Sequence, residues 1–287
     1  MRRRGRRHRL TMSGLLRSAA AAVPAVLFAA QAPLALADGM MLVDRGAFRM
    51  GSDQDTAAEA PLHGLYLEQF WIDRDKVTNA EFAAFLNARG VRSAEGEDYF
   101  DADDADVRIH PERGSAGPPR WAADPGYRDH PAVEVTWFGA RDYCAWKGLR
   151  LPTEAEWEKA ARSDDRRRYP WGNEPPTPDR AVYGRGYNAT EREGQRPAGR
   201  SPHGVQDMAG NLREWTSSQF RPYPYRAADG REGPERRATR VVRGASHDDP
   251  PEELRVTIRR HYEHRGVARG HHHIGFRCAT SEDLGGR

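Results

Sequence analysis

The sequence predicts a single loop-rich domain that mixes short strands with a few short helices. Three observations predict it. Apolar pieces three residues long (MLV, FRM, LYL and FWI, between Met41 and Asp73) alternate with glycine and acidic turns, as strands in a small sheet do. Threonine and glutamate recur at capping-box spacing ahead of helical periodicity. The 28 glycines and 20 prolines among 287 residues break the rest into loops. There is no internal repeat and no low-complexity linker, so one domain suffices, and 30% charged against 38% hydrophobic residues describes a soluble protein.

Residues 1–37 do not read as part of this fold. Arg2, Arg3, Arg4, Arg6, Arg7, Arg9 and Arg17 precede or enter an alanine-rich apolar run from about Ala19 to Ala32, and Ala35, Leu36 and Ala37 form a cleavage pattern before Asp38. That is the layout of a secretory signal peptide, and the apolar run is shorter than a bilayer span needs. Arg6 and Arg7 also read as a twin-arginine pair, which carries little information in so arginine-rich a leader. The domain is then 38–287, exported to the periplasm or secreted, with no stable membrane anchor after cleavage. The full chain has 45 bases and 42 acids for a net +3; without the leader's seven arginines the remainder has 38 bases against 42 acids, a net −4. No basic surface is left to favour nucleic acid as a partner.

Taken in order, 41–73 reads as two or three strands. Thr78 opens a helix with Glu81 completing the capping box, Phe82, Phe85 and Leu86 share one face, and Gly90 stops it. The polar stretch 93–129 follows. Its Asp101, Asp103, Asp104 and Asp106 lack the glycine and distal glutamate of a hand-type calcium loop, so it reads as a solvated excursion. Val133 to Val135 reads as a buried strand. Thr136 then caps a helix carrying Trp137, Phe138, Tyr143 and Trp146, stopped by Gly148, and Thr153 with Glu156 caps another in which Ala155, Trp157 and Ala160 pack. Beyond Tyr169 the chain reads as irregular loop fixed on a small sheet.

One stretch stands apart, Asp207 to Thr216 (DMAGNLREWT). Gly210 and Asn211 tolerate left-handed backbone, and a turn exposing carbonyls beside the Asn211 amide and the Glu214 carboxylate suits a hard cation such as calcium. The alternative is that Glu214 caps local backbone and Trp215 is core. The two cysteines, Cys144 and Cys278, are far apart in an exported chain, most simply one disulfide; a metal or catalytic pair is the alternative.

The order VTNAEFAAFL, VEVTWFGARDYCAWKGLRLPTEAEWEKAAR, YPWGNE, DMAGNLREWTSS, RVVRGASH and IGFRC resembles the formylglycine-generating enzyme (sulfatase-modifying factor) family, from Met40 to about Ala279. The resemblance implies an α+β single domain, a loop-rich variant of the C-type-lectin-like fold, with bound calcium and a disulfide between Cys144 and Cys278. It assigns one calcium site to Asn211, Glu214 and main-chain oxygen near Ala209. The family's second site has an asparagine where this chain has Val182. Trp215 and Ser246 match residues lining the family's oxygen pocket, where a substrate binds.

Catalysis departs from the family pattern. The two cysteines that bind copper(I) in the family fall on Asp249 and Leu254 here, within RGASHDDPPEELR, so the thiolate route to formylglycine is excluded. In their place stand His247, Asp248 and Asp249, followed by His261, His264, His271, His272 and His273. Imidazole and carboxylate suit iron, zinc or copper(II), and also acid–base chemistry; His247 and Asp249 are the candidate catalytic residues. A metal-free ligand pocket and an exposed polar loop are the other readings. Family members without the cysteine pair imply an oxidoreductase or a maturation or accessory factor, in siderophore maturation or beside copper nitrite reductase. Its partner is a protein or peptide-derived substrate. A non-catalytic binding module is the alternative.

Overall fold

Each of the three main helices begins at a threonine. In α1 (Asn79–Arg89) and α3 (Glu154–Arg162) the capping boxes form in full, Thr78 with Glu81 and Thr153 with Glu156. In α2 (Trp137–Trp146) the Thr136 hydroxyl accepts the Gly139 N–H at 3.0 Å. Gly139 cannot be replaced without movement, because a Cβ there would meet the Tyr99 carbonyl at 2.0 Å. That contact seats α2 on the loop before it. The computed structural model describes residues 39–112 and 119–284, which all fall in one compact unit; the signal-peptide reading of 1–37 lies outside them.

The segment 41–73 forms four strands, one at each apolar piece, where two or three were expected: β1 (Met40–Val43), β2 (Gly46–Met50), β3 (His63–Leu67) and β4 (Phe70–Asp73). β2 and β3 make a separate ribbon, while β4 lies between β1 and the late β11 (Ala279–Thr280). The excursion 93–129 contains a hairpin of β5 (Ile109–Pro111) and β6 (Trp121–Ala123). It is less solvated than its acids imply: Val107 and Ile109 are buried, and they carry Asp106 inward with them.

The main sheet comes from the second half. Its order is β10 (Ile274–Gly275), β7 (Arg213–Gln219), β8 (Arg240–Arg243), β9 (Arg259–Tyr262), with β10 parallel to β7 and the rest antiparallel. The turn 207–216 therefore runs directly into a strand. The largest core cluster packs Phe82, Phe85, Phe138, Tyr143, Trp215 and Phe276 together, and a second gathers Phe70, Ile72 and Trp157. Cys144 of α2 and Cys278, just before β11, are joined by a disulfide. Among the described residues no helix is long and apolar enough to cross a membrane.

Val133 to Val135 is buried but is not a strand. Glu134 stands in left-handed backbone (φ 58°), which stops extension, and only the isolated bridge Phe100 to Val135 forms. For a residue with a Cβ that conformation costs on the order of 1–2 kcal/mol, so the surroundings must impose it.

Candidate functional site

Backbone hydrogen bonds draw several separate loops to one place. Gly210 (φ 105°) and Asn211 (φ 64°) turn the chain against residue 182: the Asn211 N–H donates to the Val182 carbonyl at 2.9 Å, and a Cβ on Gly210 would meet that oxygen at 2.3 Å. The Asn211 carbonyl in turn accepts the His247 N–H at 2.9 Å and faces His247 Nδ1 at 3.1 Å. That contact protonates Nδ1 and leaves Nε2 as a bare acceptor. Nε2 is buried with no hydrogen-bond partner. Burial holds the ring below the usual histidine range, so it is neutral at pH 7.

The loop 270–273 docks on the other side. Gly270 lies so close to Glu134 that a Cβ would meet the Glu134 carbonyl at 2.1 Å, and the Glu134 N–H donates to the His271 carbonyl at 3.2 Å. The Glu134 carbonyl also accepts the Asp101 N–H at 2.9 Å. The result is that Asp106, Glu134 and His272 bring one ligand atom each within 4.8 Å of one another. Asp106 is 6% exposed and Glu134 2%. Asp106 accepts from the Tyr187 hydroxyl and, at 3.1 Å, from the Asn188 amide. Burial, then the carboxylates of Asp104, Asp106 and Asp101, push Glu134 up to about 8.

Four of the histidines gather here. His272 lies 6.1 Å from His247 and 4.8 Å from His273, ring centre to ring centre, and His271 lies 5.5 Å from His273. His271 Nε2 meets the Gly266 carbonyl at 3.0 Å and His273 Nε2 the Tyr262 hydroxyl at 2.7 Å. Burial lowers both, and with Arg213 beside it His273 falls to about 3. His261 instead stacks on Phe220, and His264 opens the short helix α4 (His264–Val267).

Not every expected residue takes its expected part. Asp249 does not join the imidazoles: its carboxylate accepts the Ser246 N–H at 2.7 Å and the Ser246 hydroxyl at 2.9 Å and pairs with Arg213. It closes its own turn. Ser246 and Trp215 are fully buried, and the Trp215 indole donates to the Val135 carbonyl at 3.1 Å, so neither faces an open groove. Leu254, at the second cysteine position, is core. Clefts of about 500 and 530 Å³ open elsewhere on the surface; beside the site lies a hollow of about 160 Å³ lined by Phe100, Asp101, Thr136 and Arg269. Glu134, Tyr187 and Asn188 were missed from the sequence, and Asp106, read as one acid of a solvated excursion, is buried instead. The one available signal was an acid inside the apolar run Ala132 to Val135.

Calcium does not fit at Ala209, Asn211 and Glu214. The Glu214 carboxylate is held by Arg277 at 2.6 and 2.9 Å, by the Trp157 indole at 3.0 Å, and lies 3.7 Å from Lys76 Nζ. The Asn211 side chain is spent on Glu191 and Glu193. Lys76 Nζ, donating to the Asp207 carbonyl at 2.6 Å, supplies positive charge to this pocket from within the chain. Thiolate-held copper does not fit either, because the chain's two cysteines are bonded to each other.

Comparison with known proteins agrees with this architecture. A family model described as "Sulfatase-modifying factor enzyme 1-like domain" matches residues 27–282. A formylglycine-generating enzyme from Thermomonospora curvata is 34% identical over 299 residues, covering 87% of this chain and 96% of that protein. A hercynine oxygenase from Mycolicibacterium thermoresistibile is 40% identical over 181 residues, 58% of this chain and 39% of that protein. A protein named serine/threonine-protein kinase pkn1, from Chlamydia caviae, is 32% identical over 252 residues, 86% of this chain, which spans only 38% of that relative's length. Among solved structures, PvdO from Pseudomonas aeruginosa superposes with TM-score 0.63 at 28% identity, over 84% of this chain and 93% of that one.

Proposed function

Because the chain belongs to the sulfatase-modifying factor enzyme 1-like family, we propose that it is an exported oxidoreductase or maturation factor acting on a protein or peptide-derived substrate. It works without thiolate-held copper. One observation carries this reading: both cysteines are consumed in the Cys144–Cys278 disulfide, while the loop that follows Ser246 carries a neutral histidine with a bare, buried Nε2. Such a nitrogen can take a proton from a substrate or ligate a metal. The relatives named for oxygenase and formylglycine-generating activity support the oxidative class. The arginine-rich leader supports export, as does a disulfide, which persists in oxidising compartments.

Oxygen uptake by the full chain, measured against a panel of cysteine-containing peptides and hercynine, tests the reading. Uptake with at least one substrate, lost in His247→Ala, is the expected result; no uptake across the panel overturns it. The complete burial of Trp215 and Ser246 favours a second reading, a non-catalytic binding module of the cell envelope. There, His247→Ala weakens capture of a partner protein and no redox reaction is affected.

A further inference from the structure

We propose that Asp106, Glu134 and His272 bind one divalent first-row transition cation. Ligand atoms about 2.0–2.2 Å from a common ion lie at most about 4.4 Å apart. The three here lie within 4.8 Å of one another, so a closure of a few tenths of an ångström completes the site.

The unliganded arrangement is electrostatically incomplete. Neither Asp106 nor Glu134 has a lysine or arginine partner among the described residues, and the Glu134 carboxylate, 2% exposed, makes no hydrogen bond or ion pair there. An isolated buried carboxylate is expensive unless it is paired or coordinates a metal. The second orphan, His247 Nε2, belongs to a ring that stands edge-on to His272, 6.1 Å between centres. A cation at the triad answers the charge of both acids.

The surrounding groups are arranged as outer-shell partners. His272 Nδ1 is the nitrogen facing Asp106, at 3.9 Å, while its Nε2 lies 3.5 Å from the Asp248 carboxylate. An Nε2–H held by Asp248 fixes the tautomer in which Nδ1 presents its lone pair to the ion. Asp248 shares the one Ser246 hydroxyl proton with Asp249, and Asp106 is oriented by Tyr187 and Asn188. The backbone invests in the geometry as well, through the left-handed Glu134 and the close approach of Gly270. Two carboxylates with one imidazole suit zinc, cobalt(II), manganese or iron(II), and the imidazole disfavours calcium and magnesium.

The site deepens the oxidoreductase reading, but its test reads metal and not oxygen, so each can fail alone. Full-length chain made without a histidine tag is stripped with chelator and titrated calorimetrically with zinc and with cobalt(II). One ion per chain is expected, its affinity falling about tenfold or more in Asp106→Asn, Glu134→Gln and His272→Ala. The exposed neighbour Asp103→Asn should bind as the parent does. Absence of stoichiometric uptake overturns the proposal, as does uptake indifferent to all three substitutions or lost in Asp103→Asn. Should Glu134→Gln fail to fold, His272→Ala, at a half-buried position, decides.

Discussion

The Glu214 carboxylate and the Arg277 guanidinium meet in a buried two-point ion pair, Nε to Oε2 at 2.6 Å and Nη2 to Oε1 at 2.9 Å. Lys76 Nζ stands 3.7 Å from the same carboxylate and from Glu193. Two fixed cations therefore neutralise the turn that the family resemblance would give to calcium. Calcium should leave the unfolding midpoint unchanged, as should its removal with chelator. Lys76→Ala should destabilise by about 3–5 kcal/mol, because it strands buried charge. Urea denaturation with and without calcium checks both. A midpoint that rises with calcium would mean that the ion displaces Lys76.

The disulfide closes a loop with a sequence separation of 134 residues and ties α2 to the strand that completes the first sheet. In the chain-entropy model a loop of that size is worth about 4–5 kcal/mol. The Cys144→Ala, Cys278→Ala double variant should lose about that much in denaturant unfolding. Oxygen uptake, where found, should survive at temperatures at which the variant stays folded, since no thiol takes part.

What was legible follows from how local each cause is. The helices at Thr78, Thr136 and Thr153 were readable because caps are made by residues three apart. The disulfide was readable because a chain with two cysteines allows one internal pairing. Val133 to Val135 was misread because Glu134 is turned left-handed by contacts with residues 101, 270 and 271, which leave no trace in local periodicity. For the same reason the His247–Asp248 loop and the 271–273 histidines could be seen as candidates, but not sorted. Only tertiary contacts show that Asp249 pairs with Arg213, that Asp248 faces His272, and that Asp106 and Glu134 complete the group.

Gly270 gives a direct test of that assembly. A methyl group added at this position would lie 2.1 Å from the Glu134 carbonyl, a backbone atom that cannot swing aside. Gly270→Ala should therefore cost about 1–3 kcal/mol in denaturant unfolding. It should also displace His271–His273 from Glu134. The histidine ring resonances in proton NMR would report that displacement.

Asp73 predicts a pH dependence of opposite sign to ordinary acid unfolding. Its carboxyl is half-buried in the wall of the cleft beside Cys278, whose N–H donates to Oδ2 at 2.8 Å. Burial pushes it up to about 7, against the opposing pull of that N–H, Arg277 and Lys147, with Glu81 adding to the rise. The folded chain thus holds a proton there that the unfolded chain has released between about pH 4 and pH 7, so this group's contribution falls as pH rises through that window. The slope is at most about 1.4 kcal/mol per pH unit. Asn accepts the Cys278 N–H equally well but cannot ionise. Asp73→Asn should therefore gain stability over the parent from pH 4 to pH 8, measured by urea midpoints at intervals between them. A difference that stays flat across the series would show Asp73 ionised throughout.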